Sequence, residues 1–108
     1  MNYRVDTIAT FDKQARKLSK RYPSLKSDLQ KLITTLENDP KHGKSLGSNF
    51  YKIRLAISSK QKGKSGGARV ITFVKIVDSI VLLVSIYDKS EHSTISSAEL
   101  DLIFKQLN

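Results

Sequence analysis

Lys52 and Arg54 stand two residues apart in Tyr51-Lys52-Ile53-Arg54-Leu55, where apolar residues alternate with cations. On an extended strand, residues i and i+2 project from the same face, so this spacing aims both cations in one direction. Arg69 follows in Gly66-Gly67-Ala68-Arg69-Val70-Ile71, at the start of a second β-branched run. A meander lets that start approach Lys52 and Arg54. Three cations fixed on one sheet surface repel one another unless they meet an anion. Aimed at a single phosphate, they would stabilise the charge of a phosphorane-like transition state. The plainer reading is a solvated strand face.

Proton donors and acceptors gather after the last apolar run, in Tyr87-Asp88-Lys89-Ser90-Glu91-His92-Ser93. An imidazole at His92 can serve as acid or base near neutral pH; the alternative is a histidine that merely precedes a helix. Tyr87 can stack on a base or give a proton, or it can be half-buried core. His42, beside Lys41 and Lys44, reads as a surface histidine. Glu91 and Glu99 are too few and too separated for a paired-carboxylate metal site, so neither metal nor cofactor is expected. Gly63-Lys64-Ser65 resembles the end of a phosphate-binding loop, but Ser58 stands where that loop needs its first glycine. A strand pattern, not a helix, follows it. These glycines instead suit a flexible basic loop over Ser59–Gly67, with Lys60, Lys62 and Lys64 available to phosphates.

Charge supports an anionic partner. Across 108 residues, 19 Lys+Arg against 10 Asp+Glu give a net +9. Between Asp39 and Asp78 there is no acidic residue. The cations there are Lys41, Lys44, Lys52, Arg54, Lys60, Lys62, Lys64, Arg69 and Lys75, which account for the whole excess. A solubility surface mixes both signs; a basic middle on a balanced frame points to a polyanion, nucleic acid first. Lys13 and Lys17, on the first helical stretch, would add to that grip. The absence of cysteine removes disulfides, thiolate nucleophiles and cysteine metal sites. The longest apolar run, Ile80 to Val84, is far short of the ~20 residues a membrane span needs. Charges near the start of the chain leave no room for a signal peptide's apolar run. A soluble cytoplasmic protein of one domain, residues 1–108, is expected.

Helices and strands must position these groups. Tyr3–Ile8 reads as a short strand. Phe11, Ala15, Leu18 and Tyr22 form a helical stripe after a candidate cap at Thr10. Pro23 ends that helix, and Ser24 can cap a second, whose stripe is Leu25, Leu29, Leu32, Ile33 and Leu36. Lys41–Asn49 reads as loop. Phe50–Ser58 alternates as a half-buried strand, Ala68–Val77 is β-branched, and Asp78-Ser79 is a tight turn. Ile80–Tyr87 is apolar enough for a strand covered on both faces. Ser96-Ser97-Ala98-Glu99 has capping-box spacing, with Leu100, Ile103, Phe104 and Leu107 behind it. The expected fold is α+β in the order β-α-α-β-β-β-α, an antiparallel sheet packed by a helical hairpin and a C-terminal helix.

That order resembles the RelE/ParE superfamily of toxins, as do Tyr51–Leu55, Gly66–Ile71 and Ile86-Tyr87-Asp88-Lys89-Ser90-Glu91. The long basic loop ending in Gly66-Gly67-Ala68-Arg69 is most similar to the HigB-type branch. The resemblance implies a toxin of a toxin–antitoxin system that cleaves messenger RNA in the ribosomal A site without metal. It also implies neutralisation by a cognate antitoxin, often a helix-turn-helix protein that binds operator DNA. Lys52, Arg54 and Arg69 match the family's phosphate-contacting cations. Its remaining groups fall at the end of the last strand, where this chain offers Tyr87, Lys89, Glu91 and His92. The arginine and downstream tyrosine that complete the RelE site are replaced at about those places by His92 and Ser96.

The implied chemistry is attack of a ribose 2′-OH on the adjacent phosphorus, giving a 2′,3′-cyclic phosphate and a 5′-OH. Arg54 and Arg69 would hold the non-bridging oxygens, Lys52 would act as base, and His92 or Lys89 would protonate the leaving oxygen. Lys41, Lys44, Lys60, Lys62, Lys64, Lys13 and Lys17 would contact ribosomal or messenger phosphates. Two alternatives are a ParE-like poison of gyrase that cuts nothing and a plain nucleic-acid-binding module.

Overall fold

The structure, a computed structural model, describes residues 2–60, 66–91 and 95–107. Strand β1 (Arg4–Thr7) leads into helices α1 (Ala9–Arg21) and α2 (Leu25–Asn38). Four strands follow: β2 (Lys44–Gly47), β3 (Phe50–Leu55), β4 (Ala68–Lys75) and β5 (Ile80–Asp88). Helix α3 (Ser97–Leu107) comes last, and a 3-10 turn, Ser58–Lys60, follows β3. No helix of the described residues is long and apolar enough to cross a membrane.

The helical stripes dictate the first layer. Phe11 and Leu18 of α1 and Leu25, Leu32 and Leu36 of α2 are buried against Ile53, Leu55, Val70, Val74, Val81, Leu83 and Ile86 of the sheet. Pro23 carries no N–H to continue α1, and the helix closes with the Tyr22 N–H donating to Leu18 O at 3.0 Å. Helix α3 covers the opposite sheet face, where Leu100, Ile103 and Leu107 pack on a cluster built from Phe50, Ile71 and Val84. Phe104 joins Phe50 and Phe73 in an aromatic trio with centroid separations of 5.0 to 6.2 Å. The predicted capping box starts this helix: the Glu99 N–H donates to Ser96 Oγ at 3.1 Å, and the Ser96 N–H donates to Glu99 Oε1 at 3.3 Å.

The sheet order is β1-β5-β4-β3-β2. The α+β class and the expected elements are all present, with two differences. The sheet is mixed, because β1 pairs parallel to β5, Arg4 opposite Ile80 through Thr7 opposite Leu83. The segment expected to be loop, Lys41–Asn49, contains β2, an antiparallel edge strand on β3. Its four residues, Lys-Ser-Leu-Gly, have no alternation to reveal them, and a charged lysine suits an exposed edge.

Smaller corrections concern ends. α1 is capped at Ile8 with no side-chain cap bond, not by Thr10. Ser24 does occupy the α2 cap position, but its hydroxyl bonds Asp28 and Ser59 in place of a helix N–H. β4 stops at Lys75, and the turn occupies Ile76–Ser79, with Ser79 at φ 54°.

Candidate functional site

Register places the cations. Arg54 pairs with Arg69 across β3 and β4, and Arg69 pairs with Tyr87 across β4 and β5. Directly paired residues share a face, so Arg54, Arg69 and Tyr87 form one row across three strands. The neighbouring row begins with Lys44 of β2 opposite Lys52 of β3, and Lys52 is opposite Ile71. Lys44, Lys52, Arg54 and Arg69 therefore lie on one sheet face. A bulge in β5 helps set this arrangement. Ile71 pairs with Ser85 while Thr72 pairs with Leu83, so Val84 is an extra residue that rephases the strand.

The four cations differ in environment. Lys44 and Arg54 are exposed, and Lys52 is half-buried. Arg69 is only 4% exposed, and its guanidinium donates to Ala68 O at 3.1 Å. Burial, and then the neighbouring Arg54 charge, pull the Arg69 guanidinium below its ordinary value against an opposing influence from Tyr87. A guanidinium stays protonated even so. Burial pushes the Tyr87 phenol up, Arg69 pulls it down and Glu99 of α3 pushes it up again, so the net shift is upward. At neutral pH Tyr87 therefore carries a proton to donate.

Two glycines permit the close approaches behind this face. A Cβ on Gly67 would stand 2.0 Å from Leu55 O, so only glycine lets β4 begin against the end of β3. Gly43, at φ +102°, faces Lys52 O at 2.6 Å from the same hypothetical atom and starts β2 beside Lys52. Gly67 O also accepts the Lys89 N–H at 3.1 Å, which pins the turn after β5 next to the start of β4.

The other expected site residues separate into groups. Lys89 is exposed on that pinned turn, and Lys41 is exposed just before β2. Lys13 and Lys17 are exposed on α1, with Lys17 beside the end of β5. His92, Lys62 and Lys64 lie outside the described residues. Lys60 differs from its expectation. It belongs to the 3-10 turn, its side chain is 11% exposed, and its Nζ is 2.6 Å from Asp88 Oδ1. An ammonium held this way is a structural group, not a loop cation open to phosphate. Glu91 is taken up by an ion pair with Arg21.

Asp88, which sequence reasoning passed over, is the hub of this region. Its buried carboxylate accepts hydrogen bonds from Lys60 Nζ, from the Tyr22 hydroxyl at 2.6 Å, and from the Ser90 N–H and hydroxyl at 3.0 and 2.8 Å. Burial alone would raise its pKa, but these donors win and hold the carboxyl well below the usual carboxylate range. Burial likewise pulls Lys60 down, and the Asp88 bond and charge more than offset it. The hub ties the end of α1, the 3-10 turn and the β5 turn together beside the cation row. The available signal was an aspartate ending an apolar strand, where β-propensity disfavours it. A second buried aspartate, Asp28, accepts from the Ser58 N–H at 3.0 Å and from the Ser58 and Ser24 hydroxyls at 2.7 and 2.8 Å, anchoring the same 3-10 turn to α2.

Comparison with known proteins gives this geometry a context. A family model described as the RelE toxin of the RelE/RelB toxin–antitoxin system matches residues 4–107. No curated protein matches the chain by sequence. Among solved structures, the chain is similar to a free E. coli RelE toxin carrying two arginine-to-alanine changes, with a TM-score of 0.67, 21% identity and 100% of both chains covered. It is also similar to the intact E. coli RelBE toxin–antitoxin complex, with a TM-score of 0.61 and 22% identity over 80% of this chain and 95% of that one. A RelBE complex from Mycobacterium tuberculosis gives a TM-score of 0.58 and 14% identity over 82% and 92%. At these identities the solved structures speak for the fold.

Proposed function

Because the chain belongs to the RelE family of toxins from toxin–antitoxin systems, we propose that it is a ribosome-dependent endoribonuclease that cuts messenger RNA without a metal ion. The observation that carries this reading is the placement of Lys44, Lys52, Arg54 and Arg69 on one sheet face, with like charges directly opposite at Lys44–Lys52 and Arg54–Arg69. Opposed like charges destabilise a sheet. A polyanionic phosphate chain drawn across both rows turns that repulsion into binding.

In this mechanism Arg54 and Arg69 grip the non-bridging oxygens of the scissile phosphate and stabilise the charge that builds there. Lys52, one row away and in its neutral amine form, takes the proton of the ribose 2′-OH and becomes the ammonium as the 2′ oxygen attacks phosphorus. The P–O5′ bond breaks, leaving a 2′,3′-cyclic phosphate, and a proton from Tyr87, Lys89 or His92 goes to the departing 5′ oxygen. The ribosome supplies alignment of the message; such positioning is worth up to ~7–11 kcal/mol. Lys44 and Lys41 beside the cation row, and Lys13 and Lys17 on α1, contact further phosphates. Lys62 and Lys64 contact phosphates as well, and within the family the chain falls in the HigB-like branch.

A +9 chain with an RNA-cutting face needs a partner that masks it. We assign that role to a cognate antitoxin of helix-turn-helix type, able to carry the toxin to operator DNA, with the toxin acting in the cytoplasm where ribosomes translate.

The test is to map 5′ ends of cellular RNA after brief expression, alongside a supercoiling assay with purified gyrase. Codon-phased cuts with gyrase unaffected are expected. Intact messages with inhibited gyrase would transfer the protein to a ParE-like reading.

A further inference from the structure

β1 pairs with β5 only through Leu83. Beyond that point the outer edge of β5 faces α1, and the Ile86 N–H donates to Gln14 Oε1 at 3.0 Å. A groove of about 160 Å³ follows this edge, bordered by Gln14, Lys17 and Arg21 of α1, by residues 86–88 of β5 and by Glu91, whose charge is taken up by its ion pair with Arg21. The Ile86 contact settles how the Gln14 amide is turned. Its carbonyl is held to the strand, so its NH2 group, with two donors, is directed away from the strand. Among the described residues no acceptor is bonded to the Gln14 Nε2.

Strand β5, the last strand of the row Arg54, Arg69 and Tyr87, also forms one wall of this groove, whose other wall is α1. With strands ~4.8 Å apart, the groove lies about 10 Å beyond β4, a span covered by one or two nucleotides of an extended strand. We propose that the groove is a base-reading subsite for single-stranded RNA, in which Lys17 holds a backbone phosphate and the Gln14 NH2 donates to the acceptor edge of a base next to the cleavage point. The inference rests on the RNA-cleaving reading and adds a specificity-determining residue to it. Two N–H donors side by side match the paired O6 and N7 acceptors of guanine or the O4 of uracil, whereas adenine and cytosine set an amino donor beside their ring acceptors and so meet this NH2 with a like group.

Two substitutions separate reading from structure. Gln14→Glu keeps an acceptor for the Ile86 N–H but turns an acceptor oxygen toward the groove. Gln14→Met removes both. Each full-length protein is given purified ribosomes programmed with messenger RNA, and base frequencies around the cuts are determined. The same preparations are titrated by fluorescence anisotropy with single-stranded uridine and adenosine oligomers. The wild type should favour guanine or uracil at one position beside the cut by about fivefold. Gln14→Glu should reverse the bias toward adenine or cytosine, and Gln14→Met should erase it. Melting temperature should fall more for the Met variant, which leaves the Ile86 N–H without its acceptor. The same base bias in all three proteins, or a wild-type bias toward amino bases, overturns the subsite. If the wild type cuts nothing but the anisotropy preferences follow the stated pattern, the RNA-cleaving reading fails and the subsite stands. Equal binding of both oligomers by all three proteins removes the subsite, whatever the cleavage.

Discussion

Arg54 and Arg69 are directly opposite one another on adjacent antiparallel strands, one exposed and one 4% exposed. Their charges repel in the free protein and would both be used by a bound phosphate. Stability and activity should therefore move in opposite directions when the exposed member is neutralised. Arg54→Gln is expected to stabilise the free protein by about 0.2–1 kcal/mol while slowing cleavage on ribosomes. Thermal melting of the free protein checks the first half; a fall in melting temperature would mean that Arg54 supports the fold.

Lys60 and Asp88 form the opposite kind of pair, a buried attraction. Lys60→Met leaves the Asp88 carboxylate buried with its principal cation gone, and such losses cost ~3–5 kcal/mol. Adding Asp88→Asn should recover part of that loss, since the double variant holds no uncompensated buried charge. Chemical denaturation of Lys60→Met, Asp88→Asn, the double variant and the wild type measures the coupling. Additive losses would show that the two groups act independently.

Acid should expose both buried aspartates. Asp88 and Asp28 titrate below the ordinary value of 3.8 in the folded protein. A folded pKa below the unfolded one contributes stability that is complete above the unfolded value and is lost as pH falls through the folded value. Melting temperature should thus decline below about pH 4, and Asp88→Asn should make that decline shallower. At the alkaline end the sign reverses. Lys60 titrates above its ordinary 10.5, so its contribution is intact below that value and disappears as pH rises through the raised one.

The parts of this fold that were legible are those with a period. Phe11, Leu18, Leu25, Leu32 and Leu36 repeat as helices do, and all are buried. Lys52 and Arg54 alternate with Ile53 and Leu55, which places them on one face before any pairing is known. Pairings between distant segments left no such mark. β2 was hidden because its edge is set by the positive φ of Gly43 and by the turn through Ser48 and Asn49, not by apolar alternation. The lysine-rich composition runs straight through Lys60, so by sequence it belongs to the basic loop. Its partner is 28 residues away, and only closure of the sheet onto α1 brings Asp88 to it. Charge alone marks Lys44 as a phosphate-facing candidate, but its place opposite Lys52 follows only from the register.

Gly67 offers a test of the local geometry that supports Arg69. The 2.0 Å approach to Leu55 O leaves no room for a methyl group. Gly67→Ala should force β3 and β4 apart at their joined ends and destabilise the protein by ~1–3 kcal/mol. It should also slow cleavage, because Arg69 lies two residues away. Hydrogen exchange at the Ala68–Val70 amides reports the disturbance; unchanged protection there would show that the strands absorb the methyl without moving.

The most direct measurement is the single-turnover cleavage rate of messenger RNA on purified ribosomes for the wild type, Arg69→Ala and Arg69→Lys, with melting curves from the same preparations. If Arg69 holds the phosphate in the transition state, alanine should slow cleavage by ~10²–10³-fold, like the loss of one oxyanion donor. Lysine should restore the rate only in part, because it supplies charge without the planar fork. Both variants should still melt cooperatively and still bind antitoxin. Full cleavage by a folded Arg69→Ala protein would contradict the account, since the cation row would then not be where the phosphate reacts.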